Sequence, residues 1–143
     1  MNAKTLLYQV RDEQREINEL EELIAAIVYP SGTRYDRDRV QGPTGDPTPE
    51  LAEELGKYRA ELSERRAELV RRRTAATRLI YRLPNSTKRQ ILIVYFLDAD
   101  RPRMAEVARR VGYSPSRTYE LYRDALRDLE KSVVNRKGKR DNV

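Results

Sequence analysis

The chain has 143 residues, a net charge of +6 and 36% charged residues. Thirty-two residues are Leu, Ile, Val or Phe, just above the roughly 20% below which disorder becomes the default, so the core is thin and suits elongated helices with one apolar stripe. The absence of Cys and His excludes disulfides, thiolate–imidazole zinc sites and Cys or His nucleophile–base pairs.

The first segment reads as a helix over residues 3–29, uninterrupted by Gly or Pro and ended by Pro30, Ser31 and Gly32. Ala3, Leu6, Val10, Ile17, Leu20, Ile24 and Ile27 follow steps of three and four, a heptad seam broken at Glu13. The connection over residues 30–49 is crowded with Pro and Gly, which forbid a regular helix. A second helix is expected from Pro49, with Thr48 as its N-cap, to Leu83 before Pro84. Its seam is Leu51, Leu55, Tyr58, Leu62, Arg65, Leu69, Arg72, Ala76, Leu79 and Leu83. A seam this long needs a partner, within the chain as an antiparallel hairpin or between chains. With Ile27 level with Leu51, an antiparallel register brings Glu13 opposite Arg65, where a matched pair would penalise slipped registers.

Charge is unevenly placed. Residues 1–30 carry a net −3 and residues 84–143 a net +6, which is the balance a polyanion-binding module needs. In that basic half, Asn85 or Ser86 can cap a helix through about Leu97. Asp98–Pro102 is a turn and Met104–Val111 a short helix. Gly112 follows, and Ser114–Pro115 open a further helix to about Lys131. The basic stretch 132–143 is expected to be a flexible tail.

Residues 104–129 read MAEVARRVGYSPSRTYELYRDALRDL. Ala108 is small enough for a second helix to cross closely. Gly112, four residues on, accepts the positive φ of a tight inter-helix turn. Thr118 and Leu121 then begin a buried face. This is the spacing of a helix-turn-helix, with Thr118 where a short branched apolar residue is usual; its hydroxyl can bond a carbonyl one turn back. Ser116, Arg117, Tyr119, Glu120 and Arg123 then face outward, at the positions that enter the DNA major groove, and are the candidates for reading bases. Lys88, Arg89, Arg103, Arg109 and Arg110 are the candidates for phosphate contacts.

The stretch LPNSTKRQILIVYFLDADRPRMAEVARRVGYSPSRTYELYRDALRDLEK resembles region 4 of bacterial sigma factors. It is more similar still to the phage-encoded transcriptional regulators of the ArpU and RinA type, which join a sigma-region-4-like C-terminus to a helical N-terminus. Arg39–Pro47, RVQGPTGDP, looks like the linker those proteins carry between two long helices. The resemblance covers most of the chain and implies a DNA-binding regulator of late phage genes in a bacterial cytoplasm, with RNA polymerase as a further contact. The Arg-rich second helix and the DADRP turn depart from the family pattern, so promoter specificity does not carry over.

The expected fold is all-α: a long helical hairpin and oligomerisation region over 1–83, a helix-turn-helix DNA-binding domain over 84–131, and the tail. The expected partners are double-stranded DNA and a second copy in a homodimer. A phage small terminase subunit, which also joins a helix-turn-helix to a coiled coil, is the alternative, and a DNA-independent scaffold is a third reading. No enzyme, metal or cofactor is expected: there is no GxGxxG or Walker A pattern, and the carboxylates sit at helical surface spacings beside basic neighbours. The longest apolar runs, Leu23–Tyr29 and Ile91–Leu97, fall far short of the ~20 residues of a membrane span. A soluble cytoplasmic protein with no membrane partner follows.

Overall fold

The structure is a computed structural model describing residues 2–30 and 48–141. The fold is all-α. Its elements are α1 (Ala3–Val28), α2 (Pro49–Ile80), α3 (Ser86–Leu92) continued by a π-helical turn (Ile93–Leu97), α4 (Met104–Val111) and α5 (Pro115–Asp141). Among the described residues no helix is long and apolar enough to cross a membrane. The 30–49 connection, including Arg39–Pro47, lies almost wholly outside the described residues.

The helix starts follow from capping chemistry. The Thr48 hydroxyl accepts from Leu51 N at 3.2 Å, with Pro49 at the first helical position, where its missing N–H costs nothing. The Asn85 side chain accepts from Lys88 N at 3.0 Å. Asn2, which the sequence reading passed over, caps α1 by accepting from Thr5 N at 2.7 Å. Glu130 of α5 takes a second orphan donor of the same helix end, Lys4 N, at 2.9 Å. At its other end α2 stops at Ile80, three residues before the expected Leu83, and closes with 3₁₀-type bonds, Leu83 N to Ile80 O at 3.0 Å.

Contacts divide the chain into two units that differ from the expected boundary at residue 83. One comprises residues 15–68 and the other residues 1–14 with 69–143. In the first unit the later part of α1 and the earlier part of α2 bury Ile17, Leu55 and Leu62. Arg65 bonds Glu16 at 2.7 Å and Arg66 bonds Glu21 at 2.9 Å.

The second unit holds most of the buried side chains. From α1 it takes Ala3, Leu7 and Val10, and from α2 Leu69, Ala76 and Ile80, with Ile91, Leu92, Phe96, Val107 and Leu129 from the later helices. Here Glu13 is ion-paired with Arg72.

That pair corrects the expected register. Glu13 meets Arg72, two helical turns beyond Arg65, and Arg65 is held by Glu16 and its own-helix neighbour Glu61. The cause is the phase of α1. Its buried positions run Ala3, Leu7, Val10, Gln14, Ile17, an unbroken alternation of four and three in which Leu7 and Gln14 replace Leu6 and Glu13. Glu13 thus sits on the flank of the stripe, where its carboxylate reaches sideways to Arg72. On α2 the expected Leu55, Leu62, Leu69 and Ala76 are buried at intervals of seven, as is Leu83 just beyond the helix, and Ile80 is buried in addition. Finally, α5 continues to Asp141, ten residues beyond the expected end at Lys131, through the stretch expected to be a flexible tail.

Candidate nucleic-acid interface

The candidate interface is built on α4, the turn after it and α5. Gly112 ends α4 at φ 83°, the left-handed region that favours glycine. Its N–H and that of Tyr113 both return to the Ala108 carbonyl, at 2.9 and 3.2 Å. The Ser114 hydroxyl then accepts from Arg117 N at 3.1 Å, and Pro115 opens α5. Two helices are therefore joined by three residues, with the Gly112 and Tyr113 N–H groups and the Ser114 carbonyl bonded locally, which restrains the angle at which α5 leaves.

The buried side of α5 is Thr118, Leu121, Tyr122, Ala125, Leu126 and Leu129, against which α4 contributes Val107 and Ala108. Thr118 is fully buried and its Oγ1 has no hydrogen-bond partner among the described residues. The expected bond to a carbonyl one turn back is therefore not made; the Ser114 carbonyl is taken by Thr118 N at 2.9 Å.

Ser116, Arg117, Tyr119, Glu120 and Arg123 are all exposed. At about 100° per residue, Ser116, Glu120 and Arg123 form the centre of the outward face, with Tyr119 and Arg117 on its two sides. Arg117 is paired with Glu120 at 3.1 Å, both side chains more than half exposed. An exposed pair of this kind contributes at most about 1 kcal/mol, so Arg117 can exchange it for a stronger acceptor at small cost. The Arg123 guanidinium lies over the Tyr119 ring at 5.8 Å, and Tyr119 packs on Tyr122 with centroids 5.9 Å apart.

The phosphate candidates separate into two groups. Lys88 bonds Asp128 of α5 at 2.7 Å. Arg89 donates to the carbonyls of Leu83 and Pro84 at 2.7 and 3.1 Å. Arg110 holds Asp98 at 2.7 Å and Glu106 at 3.3 Å. These three side chains tie elements together. The Asp98 carboxyl is held below the usual carboxylate range, first by the Asp100 backbone N–H and then by Arg110, which fixes the 98–102 turn against α4. Arg103 is exposed, and Arg109 is exposed on α4 beside its partner Glu106, so both can reach a ligand from outside.

The sequence reading missed how this unit is braced. Arg11 of α1 lies over the Tyr95 ring at 4.0 Å and donates to the carbonyls of Tyr95, Arg101 and Pro102. Burial lowers its pKa. Arg101, at φ 51°, donates back to the Arg11 carbonyl at 3.1 Å. Tyr8 of α1 packs edge-on to Phe96 at 5.1 Å and hydrogen-bonds the Tyr122 hydroxyl. Burial, then that bond, pushes the Tyr122 phenol up. The nearest signal in the sequence was the aromatic pair Tyr95–Phe96 inside an apolar run, which has no visible link to Tyr8 or Arg11. Among the described residues no group of acidic side chains could hold a metal ion. No family model, curated protein or solved structure matches the chain.

Proposed function

We propose that the chain is a sequence-preferring duplex-DNA-binding regulator of transcription, with α4 and α5 acting as a helix-turn-helix and α5 as the reading helix. The observation that carries this reading is the exposed N-terminal half of α5, where Ser116, Arg117, Tyr119, Glu120 and Arg123 stand clear of the core on a helix whose exit angle Gly112 and Ser114 restrain. In this reading Arg117 leaves Glu120 to bond guanine O6 and N7, Glu120 accepts from cytosine N4, and Tyr119 meets a thymine methyl. Arg103 and Arg109 hold phosphates and set the register.

The working form is a homodimer, because one such module buries too little surface for tight specific binding and paired half-sites double it. The resemblance to the ArpU and RinA type supports a role in late phage or prophage gene control in a bacterial cytoplasm, with host RNA polymerase as a second partner.

The test is selection of preferred sites from randomised duplex DNA, followed by titration of Arg117→Ala on the selected site and on scrambled DNA. The substitution is expected to cost about 1–3 kcal/mol on the selected site and to flatten the preference. Unchanged preference would remove Arg117 from the reading set, and unchanged affinity in an Arg117→Ala, Arg123→Ala double variant would favour the scaffold. A ring of eight or more subunits in solution, in place of a dimer, would move the assignment to a small terminase subunit.

A further inference from the structure

The Arg-rich part of α2 is left without a role by the assignment above. Between Leu69 and Leu97 the chain carries seven basic residues and no acidic one. Two of them, Lys88 and Arg89, are engaged in the fold as described. Arg72 is paired with Glu13, and Arg73 lies close enough to Asp98 to act on its carboxyl. The other three, Arg71, Arg78 and Arg82, are exposed.

Their spacing is i, i+7, i+11. At about 100° per residue Arg71 and Arg78 fall within about 20° of each other on α2, opposite the buried Leu69, Ala76 and Ile80. Arg71 and Arg78 stand on α2 itself, and Arg82 follows in the closing turn. Arg71 and Arg78 stand about 10 Å apart along the helix at 1.5 Å per residue, and Arg82 comes four residues after Arg78 in the chain. Neither Arg78 nor Arg82 has a side-chain ion pair among the described residues. Between them Tyr81 is exposed at 62%, with the Arg89 guanidinium 5.6 Å from its ring centroid.

Exposed arginines such as Arg78 and Arg82, with no side-chain ion pair among the described residues, are complementary to a regularly spaced polyanion. They belong to the same unit as α4 and α5, and α3 links the two: its Arg89 meets Tyr81, and its Lys88 holds Asp128 of α5. We propose that Arg71, Arg78 and Arg82 form a second track for the phosphate backbone of duplex DNA, adding sequence-independent affinity to the reading done by α5. This proposal rests on the DNA-binding reading above. Bridging between copies of the chain is the competing use of these arginines.

The test is the salt dependence of full-length protein binding to the selected duplex, with an Arg78→Gln, Arg82→Gln double variant beside the wild type. Each phosphate contact contributes about 0.9 to the slope of log K against log salt. The variant is expected to lose close to two units of slope, so its affinity falls about tenfold less than that of the wild type between 50 and 200 mM salt. Its base preference and helical circular dichroism are expected to match the wild type, since both side chains are exposed. Arg117→Ala, by contrast, changes preference. Wild-type binding with an unchanged slope in the variant overturns the phosphate track while leaving the reading helix intact. An unchanged slope with an altered solution mass assigns these arginines to contact between copies and likewise overturns it. No wild-type binding to any duplex overturns both proposals.

Discussion

At Thr118 a hydroxyl is buried with nothing to bond among the described residues. A buried polar group left without a partner costs about 1–3 kcal/mol, and Val offers nearly the same shape without that cost. Thr118→Val is therefore expected to stabilise the protein by about 1 kcal/mol, seen as a higher urea midpoint with an unchanged slope. The side chain is on the buried side of α5, so DNA preference is expected to stay the same. Sequence spacing identified Thr118 as a core position because the pattern of buried residues on a helix is set by its period. Whether the hydroxyl finds an acceptor depends on the detailed packing of α4 against α5, which spacing does not encode.

The turn between α4 and α5 rests on one backbone conformation. A Cβ at Gly112 would meet no atom within 4 Å, yet φ is +83°. The penalty for Ala there is thus conformational alone, about 1–2 kcal/mol. Asn, which tolerates left-handed backbone, is expected to cost less than Ala. Thermal melts of Gly112→Ala and Gly112→Asn check this order; equal losses would point to a steric role. The turn was legible in the sequence because Gly, Ser and Pro act locally.

The phase of α1 was not legible, because Leu6 and Leu7 are adjacent and either continues a heptad. What decides between them is the partner face, where Leu7 and Gln14 are buried. A double-mutant cycle between Glu13 and Arg72 is accordingly expected to give a coupling of about 1 kcal/mol, and one between Glu13 and Arg65 a coupling near zero. The reverse result would restore the register read from the sequence.

For the whole molecule, element types and most boundaries were readable, whereas the division into units was not. Pro84 marks a break in local structure, and a sequence reading takes such a break for a domain boundary. Packing ignores it: Arg11, Tyr8 and the α1 cap at Glu130 make residues 1–14 part of the unit that holds α3, α4 and α5. A fragment beginning at Pro84 would lose Leu7, Val10, Ala76 and Ile80, all nearly inaccessible in the whole chain. It is expected to keep helical circular dichroism but to show no cooperative melt and to bind a dye specific for exposed apolar surface. A sharp melt from the fragment would show that the expected boundary at residue 83 defines an independent domain after all.

The bond between the Tyr8 and Tyr122 hydroxyls joins residues separated by 114 positions, which bears on the order in which the chain can fold. While the polypeptide is being made, the Tyr8 hydroxyl and the Lys4 N–H have no partner on α5 until that helix emerges from the ribosome. Residues 15–68 make their contacts chiefly among themselves. If this unit folds first, it draws residues 14 and 69 together and removes itself from the loop still to be closed. Loop-closure entropy grows only with the logarithm of length, so the thermodynamic gain is modest. The kinetic consequence is larger: pairing of Tyr8 with Tyr122 waits for α5, and until then the edge of the Tyr95, Phe96 and Tyr122 cluster that Tyr8 covers is expected to be open to chaperones.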